Sequence, residues 1–361
     1  MLLVVSAKTG ILLVNLGTPE SADPQAVGRY LSEFLMDPWV MDIPLPFRYL
    51  LVRGLIVPKR SVASAELYSK VWDREHGSPL LYYSREFENR LQLELGSSYE
   101  VGLAMRYGNP SVTSVLSAWK SKGLDHIVLL PLYPQYSTAA TKSSLEWASQ
   151  ELERVLPEVS FDVISEFYSD PGFLKAWEEV GKASLKNFDY DLLVFSFHGL
   201  PARQLKKLRP CGQVCLSSQS CCDAITDLNA NCYRAQCFAT ARSIASRLGV
   251  DPEGYRVAFQ SRMSGTPWIR PYTDELYETL AQEGIKKIAV FCPSFVADCL
   301  ETLEEVAIRG KKQFLDCGGE ELRLIPSLNT HPAWVDAVAQ MVIGRVGRQI
   351  PGAPQSLHPI Q

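Results

Sequence analysis

Five short apolar runs, each stopped by glycine, proline or a polar residue, constrain this chain most. They are Ile11–Asn15, Ile127–Leu132, Leu192–Phe197, Tyr255–Gln260 and Ile288–Cys292. Each passes straight into a turn-like segment, such as Leu16-Gly17-Thr18-Pro19, Tyr133-Pro134-Gln135-Tyr136, His198-Gly199-Leu200-Pro201 or Pro293-Ser294. Near-continuous Val/Ile/Leu runs of this length suit strands covered on both faces, as in parallel sheets. Helical patterns lie between them, over Ser111–Lys122, Phe173–Lys186 and Asp274–Glu283. A last one, Pro332–Val346, gathers Trp334, Val335, Val338, Met341, Val342 and Val346 near one face. Strands alternating with helices build βαβ units, so the fold class is α/β with mainly parallel sheets. At 361 residues there is room for two such halves. The expected division is 1–168, 169–330, and 331–361 for a final helix with a loose Pro- and Gly-rich tail after Arg348.

A formal net charge of −4, with no basic run or stripe, argues against a nucleic-acid binder. No uninterrupted apolar stretch reaches the roughly 18 residues of a spanning helix. The nearest, Ile43 to Pro58, is broken by Arg48, Arg53 and prolines. The opening MLLVVSAKTGILLVNLG lacks a positive leader and a cleavage site, and reads as the approach to a first strand. The expected compartment is the cytoplasm.

In open parallel sheets, functional groups collect beyond the carboxyl ends of the strands. His198 stands there, in FSFHGLP. It is either a strand cap with local bonds or an imidazole aimed into a cleft as base or metal ligand. The segment PSFVADCLETLEE reads as a helix start, with Asp298, Glu301 and Glu305 at i, i+3 and i+7 on one face. Those carboxylates are either a solvated face favoured by the helix dipole or a path for a divalent cation and protons. The loop Phe259–Glu275 carries Trp268 between two prolines. Trp268 either anchors the loop or, with Tyr272 and the apolar Phe34–Pro58 segment, walls a cleft for a large planar ligand.

Six of the nine cysteines fall between positions 211 and 237: Cys211, Cys215, Cys221, Cys222, Cys232 and Cys237. In a reducing compartment so tight a group reads as metal or redox chemistry before disulfides. Buried thiols, structural zinc and an opportunistic disulfide all stay open on spacing alone.

Four segments in this order, LLPLYPQYS, FSFHGLPAR, FQSRMSGTPWIRPYTDE and FVADCLETLEE, together with LLVNLGTPES near the start, resemble the ferrochelatase family over nearly the whole chain. The resemblance implies two similar Rossmann-like halves with a porphyrin cleft between them. It implies insertion of Fe2+, as substrate, into protoporphyrin IX or coproporphyrin III in haem biosynthesis. It makes His198 and Glu301 the catalytic and iron-handling pair, with Asp298 and Glu305 on an acidic proton path. Arg106 and Tyr107 in AMRYGNP match a substrate-binding pair, Trp268 matches a loop tryptophan at the cleft mouth, and Phe34–Pro58 matches the apolar lip that admits the macrocycle. That lip could also touch a membrane surface or a porphyrin-delivering partner. Some members carry a 2Fe-2S cluster. Here no cysteine follows Cys317, so the resemblance is to bacterial members with internal ligands. The assigned set is Cys215, Cys222, Cys232 and Cys237, with Cys221 or Cys211 as substitutes. Competing readings are a chelatase for another tetrapyrrole and a tetrapyrrole- or iron–sulfur-binding sensor without catalysis. A nucleotide-binding protein is disfavoured, because GxGxxG and P-loop motifs are lacking.

Overall fold

The computed structural model describes residues 8–208, 210, 215–216, 220–263 and 265–347. The opening seven residues, Cys211 and the tail from Arg348 lie outside the described residues.

Among the described residues, eight strands form two four-stranded parallel sheets. The first holds β1 (Thr9–Gly17), β2 (Tyr99–Tyr107), β3 (His126–Pro131) and β4 (Ser160–Val163). The second holds β5 (Leu192–His198), β6 (Tyr255–Gln260), β7 (Lys287–Phe291) and β8 (Glu321–Leu324). Their orders are β2-β1-β3-β4 and β6-β5-β7-β8, the same arrangement twice. The inner strands β1, β3, β5 and β7 are four of the five apolar runs, and their central residues are fully buried because helices cover both faces, while the fifth run, Tyr255–Gln260, is the edge strand β6.

In each sheet the order reverses between two inner strands, β1 and β3 in one and β5 and β7 in the other. A crevice opens at such a switch point. Gly17 ends β1 at φ +114°, and a Cβ there would stand 1.8 Å from the Tyr107 carbonyl oxygen. Only glycine lets β1 turn away this close to β2.

The helix that precedes the second sheet begins with a well-defined cap. The Asp170 carboxylate accepts from the backbone N–H groups of Gly172 and Phe173, both at 2.9 Å, and starts the helix Pro171–Leu185. The final helix, Pro332–Val346, closes the seam. Its Trp334 stacks on Phe87, from the helix Pro79–Leu95, with centroids 5.5 Å apart, and meets Phe167 and Phe173 as well. One continuous apolar core therefore spans both sheets.

The acidic segment departs from the expected α-helix. A single α turn, Leu300–Thr302, leads into a π-helix over Leu303–Gly310. π-Helical stretches are uncommon and often sit at functional sites.

Candidate active site

A cleft of about 1090 Å³, counting its open mouth, lies beyond the carboxyl ends of the inner strands of both sheets. Thr18 follows β1, Tyr133 follows β3, His198 ends β5 and Ser294 follows β7, and all four line it together with Glu301. Phe34 and Leu80 from the first half and Phe295 from the second make much of the wall apolar. This geometry suits a large, mostly apolar ligand met by a few polar groups.

His198 is half-buried. Its Nδ1 lies 2.6 Å from the Gly199 carbonyl oxygen. A carbonyl can only accept, so Nδ1 carries the hydrogen. In the neutral ring Nε2 then keeps its lone pair. The strand end is itself braced. Tyr233 donates its hydroxyl to the His198 carbonyl at 2.8 Å, and Gly199 donates its N–H to the Gln260 carbonyl at 2.8 Å. A Cβ at Gly199 would stand 2.7 Å from that same Gln260 oxygen, so the close approach needs glycine.

Glu301 is placed from behind. The buried Gln260 donates Nε2–H to the Glu301 carbonyl at 2.7 Å, and its Oε1 accepts from the Ser196 hydroxyl at 2.7 Å. Glu305 accepts from the Ser261 N–H at 2.8 Å and from the Ser261 hydroxyl, with Arg309 at 3.8 Å. Tyr30 and Tyr68 also line the cleft. Burial pushes both phenols far above their usual range, and the Glu301 carboxylate adds to the effect. Both phenols therefore stand in the cleft wall as neutral hydroxyls.

Asp298 does not share a helical face with Glu301 and Glu305, because it precedes the turn. Its buried carboxylate accepts from Thr302 at 2.9 Å, from the Asn329 side chain at 2.8 Å and from the Ser327 N–H at 3.3 Å. These contacts brace the base of the acidic segment.

Arg106 and Tyr107 line a neighbouring groove with Trp39 and Trp147, not the His198 cleft. Phe34 separates the two, meeting Tyr107 edge-on at 5.2 Å. The Asp37 carboxylate, 1% exposed, accepts from Arg106, from Ser143, and from the Tyr107 hydroxyl at 2.8 Å. The Arg106 guanidinium lies 4.6 Å from the Tyr107 ring centroid and 5.2 Å from that of Trp147. Trp268 is also absent from the cleft wall. It is buried behind Gly199 and bridges to Pro201, so it supports the His198 loop from outside.

Cys232 neighbours Tyr233, whose hydroxyl bonds the His198 carbonyl. Cys232 caps the helix Tyr233–Arg247, and Cys237 sits one turn into it. Cys222, Cys232 and Cys237 are buried, Cys215 and Cys221 half-buried. The Cys221 and Cys222 sulfurs are 3.7 Å apart, and Arg234 donates to the Cys222 sulfur at 3.0 Å. A hydrogen bond with Cys232, then burial, push the Cys222 thiol up. Burial does the same to Cys237.

Sequence reasoning missed Gln260, Tyr233, Tyr30, Tyr68 and Asp37. Gln260 did leave a signal, as a glutamine closing an otherwise apolar run.

Two parallel sheets of matching strand order, with a cleft at their carboxyl ends, define a chelatase-like fold. SirB from Bacillus subtilis, solved with Fe3+, is similar at a TM-score of 0.52 and 12% identity, over 94% of this chain and 98% of that one. The sirohydrochlorin chelatase SirB from Bacillus subtilis subspecies spizizenii, solved with cobalt, is similar at 0.51 and 11%, over the same shares. A family model described as Ferrochelatase matches residues 8–346. A ferrochelatase of Coxiella burnetii (strain Dugway 5J108-111) is 45% identical over 334 residues, 92% of this chain and 93% of its own length. One of Legionella pneumophila (strain Philadelphia 1) is 45% identical over 338 residues, 93% and 98%. The chain belongs to the ferrochelatase family.

Proposed function

We propose that His198 and Glu301 are the pair through which this chain inserts ferrous iron into a porphyrin, for haem biosynthesis. The observation that carries the reading is the Nδ1–H bond from His198 to the Gly199 carbonyl, in a cleft that Glu301 also lines. Insertion requires two pyrrole nitrogens to lose protons while the dication sheds water. The apolar walls exclude water and hold the ring, and binding energy spent on bending it exposes nitrogen lone pairs. The His198 Nε2 lone pair accepts a pyrrole proton. Glu301 offsets the charge of the entering iron, and Glu305, on the same acidic segment, takes protons onward. An imidazole and carboxylates without thiolate hold iron loosely enough to release it to the ring. The test is anaerobic incubation of porphyrin and ferrous iron with the unmodified protein, His198→Ala and Glu301→Gln, followed by absorbance. Loss of metallation in both variants with porphyrin binding retained supports the pair; turnover in either removes that residue.

The reading extends to a 2Fe-2S cluster held by Cys215, Cys222, Cys232 and Cys237. Support comes from the Cys221 and Cys222 sulfurs lying 3.7 Å apart, with the Arg234 guanidinium 3.0 Å from the Cys222 sulfur and so positioned to offset negative charge. As the chain stands, no three His, Cys, Asp or Glu side chains among the described residues are grouped to hold a metal ion, so the sulfurs must draw together on binding. The cluster would supply structural tethering or sensing, since metal insertion transfers no electron.

The chain is placed in the cytoplasm, where free thiols persist. Among the described residues no helix is long and apolar enough to cross a membrane. Exposed Leu45, Phe47, Leu50 and Leu55 on the lip are the surface through which porphyrin arrives, from a membrane face or a delivering partner.

A further inference from the structure

Tyr233 occupies an unusual position. It is the first residue of the helix Tyr233–Arg247, next to Cys232, and its ring lines the cleft. Its hydroxyl has a complete set of partners. It donates to the His198 carbonyl at 2.8 Å and accepts from the Ser294 hydroxyl at 3.0 Å. The phenol is buried. Cys237 lies against the same phenol from the following turn. The loop bearing Cys222 is fastened to this helix twice, by Arg234 to the Cys222 sulfur and by Arg242 to the Cys222 carbonyl, both at 3.0 Å.

One rigid element therefore carries sulfur ligand candidates at its start and a hydrogen bond to the peptide of His198. A helix moves as a unit, so a shift of its first turn transfers to the groups bonded there. The imidazole tolerates little displacement: misplacing a reacting group by about 1 Å can cost about 100-fold in rate. The bond reaches the backbone of His198 and not its ring. Tyr233 can therefore set the aim of Nε2 without taking part in proton transfer.

We propose that Tyr233 is a positioning residue that couples the cysteine cluster to His198. The proposal rests on His198 as the proton acceptor. It makes turnover responsive to the sulfur environment, with no electron passing between the two sites.

The test uses the full chain as Tyr233→Phe, Cys237→Ser, the double variant, and His198→Ala. Three quantities are read: porphyrin Kd by fluorescence quenching, kcat and KM for iron insertion, and amide hydrogen exchange across residues 195–200 without iron or porphyrin. Tyr233→Phe is expected to lower kcat about tenfold, leave KM and Kd within about twofold, and raise exchange in that peptide. Cys237→Ser should raise the same exchange in the unmodified background and add nothing in the Tyr233→Phe background. The double variant should lose less kcat than the product of the two single losses. The proposal is overturned by normal kcat in Tyr233→Phe beside an inactive His198→Ala, by fully multiplicative losses, or by loss of porphyrin binding in Tyr233→Phe, which would make the tyrosine a packing residue. An active His198→Ala instead removes the reading beneath it.

Discussion

The Gln260 side chain donates Nε2–H to the Glu301 carbonyl at 2.7 Å. The backbone of the same glutamine pairs with His198 in the β5–β6 register and accepts from Gly199 at 2.8 Å. One buried residue thus fixes the spacing between the imidazole and the carboxylate that share the cleft. A polar side chain at the end of an interior strand is costly unless fully bonded. Here Ser196 and Glu301 supply the partners.

Gln260→Leu keeps the bulk and strands those partners. Leaving buried polar groups unpaired costs about 1–3 kcal/mol each. The variant should lose about 2–4 kcal/mol of stability in denaturant titration. Its kcat should fall more than the rough tenfold of a single lost contact, with porphyrin Kd within about threefold. Unchanged kcat in the folded variant would separate Gln260 from the site.

Glu301→Gln preserves volume and removes charge. Iron insertion should fall about 100-fold or more while porphyrin Kd stays within a few-fold. Glu305→Gln should cost less, about tenfold, because the Ser261 N–H and hydroxyl can still hold that side chain in place. Steady-state kcat for the two variants, measured together, checks the ranking. Equal losses would place both carboxylates at the metal.

Asp37 is the anchor of the neighbouring groove. Asp37→Ala leaves the Arg106 guanidinium without its buried partner, and breaking such a pair costs about 3–5 kcal/mol. Denaturation should show that loss, while kcat of the protein that remains folded should stay within a few-fold. A large kcat defect in stable protein would return Arg106 and Tyr107 to direct contact with the substrate.

Anaerobically purified protein should be reddish, with visible absorption that bleaches on reduction. Cys232→Ser should be colourless. Cys317→Ser, at an exposed position, should keep the colour. Visible spectra and iron and sulfide content decide this. Colourless unmodified protein with full activity would remove the cluster.

The inner strands were legible because burial on both faces leaves unbroken apolar runs. β4 (SFDV) and β8 (ELRL) were not, since short edge strands mix polar residues into the pattern. β2 (YEVGLAMRY) lies at an edge too, and drew notice only for Arg106 and Tyr107. The final helix matched its pattern, with Trp334, Val335, Val338 and Val342 buried. His198 and Glu301 both reach the cleft, because strand ends and local motifs are visible in sequence. Asp298 was misaligned because the spacing assumed α geometry, whereas the segment begins after it and turns π-helical. Tyr233 and Gln260 bond partners 35 and 41 residues away, a relationship that only the folded chain displays.

The central claim is that an imidazole with Nδ1 tied to Gly199 takes a proton from the bound macrocycle. Stopped-flow mixing of ferrous iron with porphyrin already bound, under anaerobic single-turnover conditions, tests it with absorbance and a pH indicator read together. The unmodified protein should release two protons per metal inserted, and His198→Ala should bind porphyrin but insert iron about 100- to 10,000-fold more slowly. Insertion and proton release at the unmodified rate in His198→Ala would contradict the account.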